Sequence, residues 1–463
     1  MLQNIMRSVI MFVNRNKELQ LLNEEYNKKS ASFTVIYGRR RIGKTSLIAE
    51  YIKDKPAVFY YATEMNLSYQ LKDMARLILD RINIPNLKGI EFNDFDSLII
   101  FLANNLPADR KFILVIDEYQ QLAKLDPGFS SMLQKNWDVY LKNKNIHLIL
   151  CGSVFSMMQS EVLSYSAPLY GRRTSSIHLK AIPFSHIGEF IPSADKYDLI
   201  NIYASFGTVP RYLEIYNGEL SFTENLRQNI LDRNSYLYNE ARFLLKEEIS
   251  DIGTYFSILE IISCGDTKIG NIGKKIGEHS SYLTRYLQKL IDLDIVEKEV
   301  PVLENNPLKS KLGRYRIKDQ FVNFWFYYVY KNYSQLEIGN TEYVLKEIDS
   351  SFNEKFVSFA YEQYVKESIL NDPVKYLGFI PDKIGRWWNN REEIDLVAFN
   401  DKNIAFIECK WQNQPVGFDV YNALLQKSSA IECDPKLKKQ YVIFSRSEPK
   451  KGLKETECKV WVY

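Results

Sequence analysis

Five short apolar runs punctuate the stretch from about Val13 to Pro183: FTVIY (33–37), AVFYY (57–61), FILVID (112–117), IHLILCG (146–152) and SIHLKAI (176–182). Each is apolar almost throughout, not on alternate residues, which suits strands covered on both faces. Helical stretches separate them, so the pattern predicts a parallel α/β layer. From Ser185 to about Lys246 the pattern turns helical, interrupted at FGTVPRY. Tyr255 to Val302 then reads helix, helix, helix, strand. The last 145 residues return to α/β. They carry an aromatic helix, a helix at EKFVSFAYEQYVKESIL, strands at EEIDLVAF and IAFIECKW, a helix near VYNALLQKSSAI, and a strand at YVIFS. The chain shows no internal repeat and no low-complexity linker.

Composition narrows the class. At 463 residues the chain exceeds one compact core and predicts two to four domains. Its charge is nearly balanced at +3, so a nucleic-acid contact has to come from a local patch. The five cysteines (Cys151, Cys264, Cys409, Cys433, Cys458) lack metal-like spacing and read as thiols in a reducing compartment. Four histidines argue against a His-rich metal site. The opening MLQNIMRSVIMFVNRNKE lacks a long apolar core and a small-residue cleavage site, so no signal peptide is expected; Met11 is an alternative start to Met1. FVNFWFYYVY is too short to span a bilayer. A soluble cytoplasmic protein without a membrane partner is expected.

The stretch YGRRRIGKTSL follows the first strand and opens a helix, and it fits G-x-x-x-x-G-K-[ST] with Gly38, Gly43, Lys44 and Thr45. Two glycines let backbone N–H groups wrap a phosphate, which rests on the helix N-terminus. Lys44 then reaches the β- and γ-phosphates and Thr45 ligands Mg²⁺. Arg41 and Ser46 flank these positions and join them as nucleotide contacts, although Arg39, Arg40 and Arg41 also read as a solvated face. A buried strand ending in Asp117 and Glu118 needs a cation to serve. Asp117 is assigned to Mg²⁺ through its water shell and Glu118 to the attacking water. Ser153, after LILCG, is placed to sense the γ-phosphate, with a helix cap as the alternative. Arg172 and Arg173 are forks suited to a γ-phosphate or to a neighbouring subunit's nucleotide, the alternative being an ordinary surface pair.

FVNRNKELQLL, YGRRRIGKTSL, ILVIDEYQ, CGSVFSMM, PLYGRRT and FGTVPRYL occur in the order seen in archaeal-type ATPases, a STAND-related branch of the AAA+ superfamily, which the first half of this chain resembles. The resemblance implies ATP as ligand. It also implies that Asn14, Arg15 and Glu18 lie near the base, and that Gly207 and Pro210 belong to a helical lid. VNR departs here from the more usual Val-Gly-Arg.

Tyr255 to Val302 looks like a winged helix-turn-helix whose third helix offers Tyr282, Arg285, Tyr286 and Lys289 to a DNA groove. Asp292 and Asp294 offset its two basic residues, and such modules also serve as lids and interaction surfaces. Farther on, Asp395 on one strand meets Glu408-x-Lys410 on the next, with Glu408 and Lys410 on one face by period two. Two carboxylates and a lysine suit a divalent-metal site that activates water against a phosphodiester. A hairpin with surface charges is the bland alternative. This stretch resembles the PD-(D/E)xK restriction-endonuclease-like fold, which implies Glu362 as a further metal-binding acid, Lys410 as a catalytic lysine, and Mg²⁺ or Mn²⁺ at the site.

The expectation is therefore a multidomain α/β protein. It comprises a P-loop ATPase core with a parallel sheet (1–184), a helical lid (185–246), a winged helix-turn-helix (247–318) and a restriction-endonuclease-like α/β domain (319–463). The expected function is an ATPase coupled to a metal-dependent nuclease on DNA, with homo-oligomers formed through arginine-finger contacts. The alternatives are an ATP-controlled DNA- or protein-binding switch that does not cleave, and an assembly factor whose oligomeric state follows ATP.

Overall fold

The computed structural model describes residues 12–82, 90–107, 109–153, 155–249, 251–453 and 456–463. Met1 and Met11 lie outside the described residues. The chain divides into two compact units. The first runs to Ile182 and includes Val209–Arg211 and Lys246–Ser250; the second takes the rest.

In the first unit, helix α1 (Asn16–Asn27) precedes strand β1 (Ser32–Tyr37), and helix α2 (Lys44–Ile52) follows the glycine loop. Strands β2 (Ala57–Tyr61), β3 (Phe112–Asp117), β4 (Ile146–Gly152) and β5 (Ser175–His178) complete a parallel sheet, with helix α3 (Tyr119–Leu125) leaving β3. All five expected strands are present, the fifth ending at His178. The order β2-β3-β4-β1-β5 places β4 between β1 and β3. Alternate residues face opposite cores: Phe33 and Val35 join one apolar cluster, Ile36 the other. Both faces of β1, β3 and β4 are covered, so those runs show no polar alternation, whereas the edge strands β2 and β5 are buried only on alternate residues. The register sets Tyr37 level with Gly152, and Ile116 level with Leu150. The glycine loop, Asp117 and Ser153 thus emerge at one edge of the sheet.

His147 interrupts the apolar run of β4 and is fully buried. Its ring nitrogens lie 2.7 Å from Thr34 Oγ1 and 2.8 Å from Tyr51 Oη, tying β4 to β1 and α2. Burial pushes its pKa down to about 3, so the ring stays neutral.

In the second unit, helices Ile252–Ser263, Ile269–Ile276 and α4 (Ser280–Asp292) precede an antiparallel pair, β6 (Val296–Glu299) and β7 (Arg314–Ile317). On α4 the 3.6-residue period puts Leu283, Tyr286, Leu287 and Leu290 on the buried side. Tyr286 therefore does not offer itself to a groove: it packs against Tyr255 with ring centroids 4.9 Å apart. Arg285 lies over the rings of Tyr282 and Tyr286, 4.8 Å from each centroid. Lys289 is half-buried on the same helix.

Beyond the buried aromatic run at Gln320–Tyr330 comes helix α5 (Ser358–Asn371). A five-stranded sheet follows, in which strands adjacent in sequence are neighbours throughout. Strands β8 (Lys383–Trp388), β9 (Glu393–Phe399) and β10 (Asn403–Lys410) pair antiparallel. Helix α6 (Phe418–Ser429) then leads to β11 (Lys438–Ser445) and β12 (Cys458–Val462), both parallel to β10. The two edge strands β8 and β12 are additions to the pattern reading. The ladder between β8 and β9 is irregular between Gly385 and Trp387, which breaks the period-two signal. Among the described residues, no helix is long and apolar enough to cross a membrane.

Candidate nucleotide site and a charged C-terminal cluster

The glycine loop is held by backbone geometry first. Gly38 (φ 150°), Arg41 (φ 70°) and Gly43 (φ 90°) all take positive φ. The two glycines serve different needs. A Cβ on Gly38 would lie 2.3 Å from the Leu179 carbonyl oxygen, so the loop is in close contact with the segment after β5. A Cβ on Gly43 would meet nothing within 4 Å, so the space on that side of the loop is open. Lys44 is buried, and its ammonium donates to the Gly38 and Arg39 carbonyls at 2.7 and 2.9 Å, closing the loop on itself.

At the mouth, the Thr45 hydroxyl donates to Asp117 Oδ2 at 3.0 Å. Asp117, only 1% exposed, accepts the Glu118 N–H on its other oxygen at 3.0 Å. Glu118 takes a left-handed backbone, φ 53°, unusual for a non-glycine residue, which turns the chain sharply from β3 into α3. Its carboxylate accepts from the Ser153 hydroxyl at 2.8 Å and from the Gln120 amide. Burial raises the Tyr61 phenol, and Glu118 and Asp117 add to the rise. An oxygen pair from Thr45 and Asp117 beside an open glycine loop fits Mg²⁺, which takes hard oxygen ligands, and a nucleotide phosphate in that space.

The other predicted positions fall around this centre. Arg15 is buried and donates to the Ile42 carbonyl at 2.9 Å and the Lys180 carbonyl at 2.8 Å, so it braces the loop from behind. Glu18 sits 3.6 Å from the same guanidinium. Asn14 has φ 49°, which accounts for the departure from Val-Gly-Arg: asparagine is among the residues that tolerate this region. Ser46 is half-buried on α2, and Arg40 pairs with Glu247. Arg172 is engaged by Asp138, with 3.0 Å between Nη2 and Oδ2. Arg173 lies over the Tyr170 ring, 5.7 Å from its centroid. It also lowers the Tyr37 phenol against the larger raising effect of burial, which sets its charge near the end of β1. Pro210 opens helix Pro210–Ile215 and groups with the first unit. Gly207 (φ 69°) ends helix Lys196–Phe206 in the second.

In the second unit the β9–β10 ladder runs from Ile404↔Phe399 to Ile407↔Leu396, so its next step sets Glu408 beside Asp395. Glu362, Asp395 and Glu408, the expected metal ligands, act on one another electrostatically, and each is also engaged by a protein group. Glu362 pairs with Arg386, which also pairs with Glu393. Asp395 Oδ2 accepts the Cys409 N–H at 2.8 Å. Glu408 is buried and accepts from Lys410 at 2.8 Å and from Lys427 at 3.0 and 3.1 Å. Among the described residues, no group of three or more His, Cys, Asp or Glu side chains is arranged to hold a metal ion. Arg386 and Lys427 set positive charge beside Glu362 and Glu408. Burial pushes Glu362 up to about 8, against the pull of Arg386, while burial and then Glu408 push Asp395 up to about 6. Glu393 moves oppositely: Arg386 and Arg314 overcome burial and hold it at about 2.

Gln120, Arg386, Glu393 and Lys427 escaped the sequence reading. Gln120 follows Glu118 by two residues and is buried, but nothing in DEYQ marks it as a partner. Arg386 did carry a signal, a charge within the aromatic strand KIGRWW. Lys427 sits at an ordinary helical position, and only the fold brings it to Glu408.

Residues 12–215 match the model of an ATPase domain predominantly from Archaea, and residues 325–427 match DUF234, archaea bacterial proteins of unknown function. An uncharacterized protein of Methanocaldococcus jannaschii is 36% identical over 448 residues, covering 96% of this chain and 97% of its own length. The chain belongs to that protein's family. An uncharacterized ATP-binding protein of the same organism is 44% identical over 50 residues, 11% of this chain and 85% of that protein. A Walker-type ATPase of Pyrococcus abyssi shares the fold with a TM-score of 0.50 at 18% identity, over 68% of this chain and 96% of that one. The glycine loop, Asp117 and Glu118 thus lie in the ATPase domain, and Glu362, Asp395, Glu408 and Lys427 lie in the DUF234 region.

Proposed function

We propose that this family member is a Mg²⁺-dependent ATP hydrolase whose nucleotide state governs a DNA-directed C-terminal unit. The observation that carries the first half is the Thr45–Asp117 hydrogen bond beside the open side of Gly43, with Glu118 fixed next to it. Thr45 and Asp117 would hold Mg²⁺, which supplies charge neutralisation at the β- and γ-phosphates. Lys44 would exchange its two loop carbonyls for phosphate oxygens. Glu118, released from Ser153 and Gln120, would orient the attacking water and accept its proton. Ser153 would then face the γ-phosphate, and Arg173 would serve the same phosphate or that of a second copy.

The second unit, on this reading, carries a winged helix at 247–318 and a restriction-endonuclease-like domain from 319 onward. The order α5, three antiparallel strands, α6 and a parallel strand supports it, as does the meeting of Asp395, Glu408 and Lys410. The donor set does not fit a resident divalent ion while Glu408 is taken by two ammonium groups, so no cleavage step is derived through one. That same observation favours a second reading, in which this unit binds DNA or protein without cutting. Incubating supercoiled plasmid with the full chain in Mg²⁺ or Mn²⁺, with and without ATP, separates the two. Nicking that disappears in Asp395→Ala supports the nuclease, and intact plasmid under every nucleotide state leaves the non-cleaving switch.

A further inference from the structure

Two cations of the glycine loop have partners that differ in kind. Lys44 is satisfied by the neutral carbonyls of Gly38 and Arg39. Arg40 is paired with the carboxylate of Glu247. A phosphate that recruits Lys44 displaces neutral acceptors, whereas one that recruits Arg40 has to displace a full negative charge. Glu247 lies near the end of helix Glu240–Glu248, within the stretch Lys246–Ser250 that groups with the first unit. The contact is therefore internal to the unit that holds the nucleotide site.

The surroundings of the pair place it toward one end of that site. Burial pushes the Glu247 carboxyl up against the pull of Arg40 and Arg41, and the charges of Glu118 and Glu248 add to the rise. Arg40 in turn lowers the Tyr61 phenol against the larger raising effect of burial, and Tyr61 ends β2 level with Asp117. The pair thus acts on the Asp117–Glu118 end, where the terminal phosphate is proposed to sit. Its side chains are 46% and 31% exposed, and an ion pair so open to water is weak and readily exchanged. A γ-phosphate brings negative charge beside Glu247 and Glu118, and it offers the guanidinium a stronger, bidentate partner. We propose that Arg40 and Glu247 form a latch that senses the γ-phosphate: ATP draws Arg40 away from Glu247, and ADP leaves the pair closed. This latch rests on the reading of the glycine loop as an ATP site. It makes Glu247 a positioning residue, acting on the nucleotide through Arg40.

The test is calorimetric titration of the full chain in Mg²⁺ with ADP and with the non-hydrolysable β,γ-imido analogue of ATP, for wild type, Glu247→Gln, Arg40→Gln and the double variant. Glu247→Gln binds the triphosphate analogue about five- to tenfold more tightly than wild type, while its ADP affinity changes by less than about twofold. In the Arg40→Gln background the same change at Glu247 gains nothing, because the pair no longer exists. Glu247→Asp, which keeps the charge, stays near wild type, and Glu247→Ala takes the place of the glutamine variant if that one fails to fold. Equal gains for both nucleotides, no gain for the triphosphate, or a gain that persists without Arg40 overturns the latch and leaves the ATP site standing. Binding of neither nucleotide by wild type or any variant removes the ATP site itself, and the latch with it.

Discussion

Alanine at the two loop glycines should produce opposite signatures. At Gly38 the new methyl would sit 2.3 Å from the Leu179 carbonyl and 2.6 Å from Ile42 Cδ1. The isoleucine tip can move. The carbonyl is backbone, and the Leu179 N–H is itself bonded to the Tyr37 carbonyl at 2.8 Å. Overpacking against such a partner, with the strain of positive φ, destabilises by about 2–4 kcal/mol. At Gly43 no atom lies within 4 Å of the new methyl, so only the strain of φ 90° remains, about 1 kcal/mol. The Gly43 methyl nonetheless occupies the space assigned to phosphate, and ATP affinity should drop by about tenfold or more, equivalent to about 1.4 kcal/mol. Urea unfolding and calorimetric ATP titration read the two effects separately: Gly38→Ala mainly loses stability, and Gly43→Ala mainly loses binding. If Gly38→Ala unfolds within about 0.5 kcal/mol of wild type, or Gly43→Ala binds ATP undiminished, the geometry of this loop has been misread.

Ser153→Ala removes the donor that holds Glu118 and that is proposed to face the γ-phosphate, so kcat should fall while KM stays nearly constant; a change confined to KM would place Ser153 in binding alone. His147 yields a pH prediction. Its folded pKa, about 3, lies below the unfolded value near 6.5, so the unfolded chain takes up a proton the folded one refuses, and stability falls as pH drops through that window. Comparing wild type with His147→Gln, the stability gap should shrink by at most about 3 kcal/mol between pH 7 and pH 4.5; a gap that does not move with pH contradicts the buried neutral ring. If Arg173 serves a second copy, mixing Arg173→Ala chains with Lys44→Ala chains should restore hydrolysis that neither has alone, and a mixture as inactive as its parts rules that role out.

The first unit was legible because its signals are local. Apolar runs covered on both faces read directly as strands, and a glycine loop followed by lysine and threonine specifies its own conformation. The second unit was harder for two physical reasons. Edge strands such as β8 and β12 carry no continuous apolar run, and the partners of its charged residues lie far apart in sequence. Glu362 and Arg386 are separated by 24 positions, Glu408 and Lys427 by 19. Spacing within one strand could pair Glu408 with Lys410. No spacing rule could reveal that Arg386 pairs with Glu362 or that Lys427 joins Lys410 at Glu408. Tyr286 shows the same limit on one helix: being aromatic and beside a basic residue suggested a groove, and the 3.6-residue period turned it inward.

Lys44, Thr45, Asp117 and Glu118 are proposed to form an ATP-hydrolysing centre. The most direct measurement is steady-state phosphate release by the full chain in Mg²⁺, run in parallel with nucleotide titration, for wild type, Lys44→Ala and Glu118→Gln. Wild type should turn over ATP, Lys44→Ala should fail to bind it tightly, and Glu118→Gln should bind it normally while releasing phosphate at least about a hundredfold more slowly, the scale of a lost general base. A Glu118→Gln protein that hydrolyses ATP at the wild-type rate would mean that Glu118 does not activate the water.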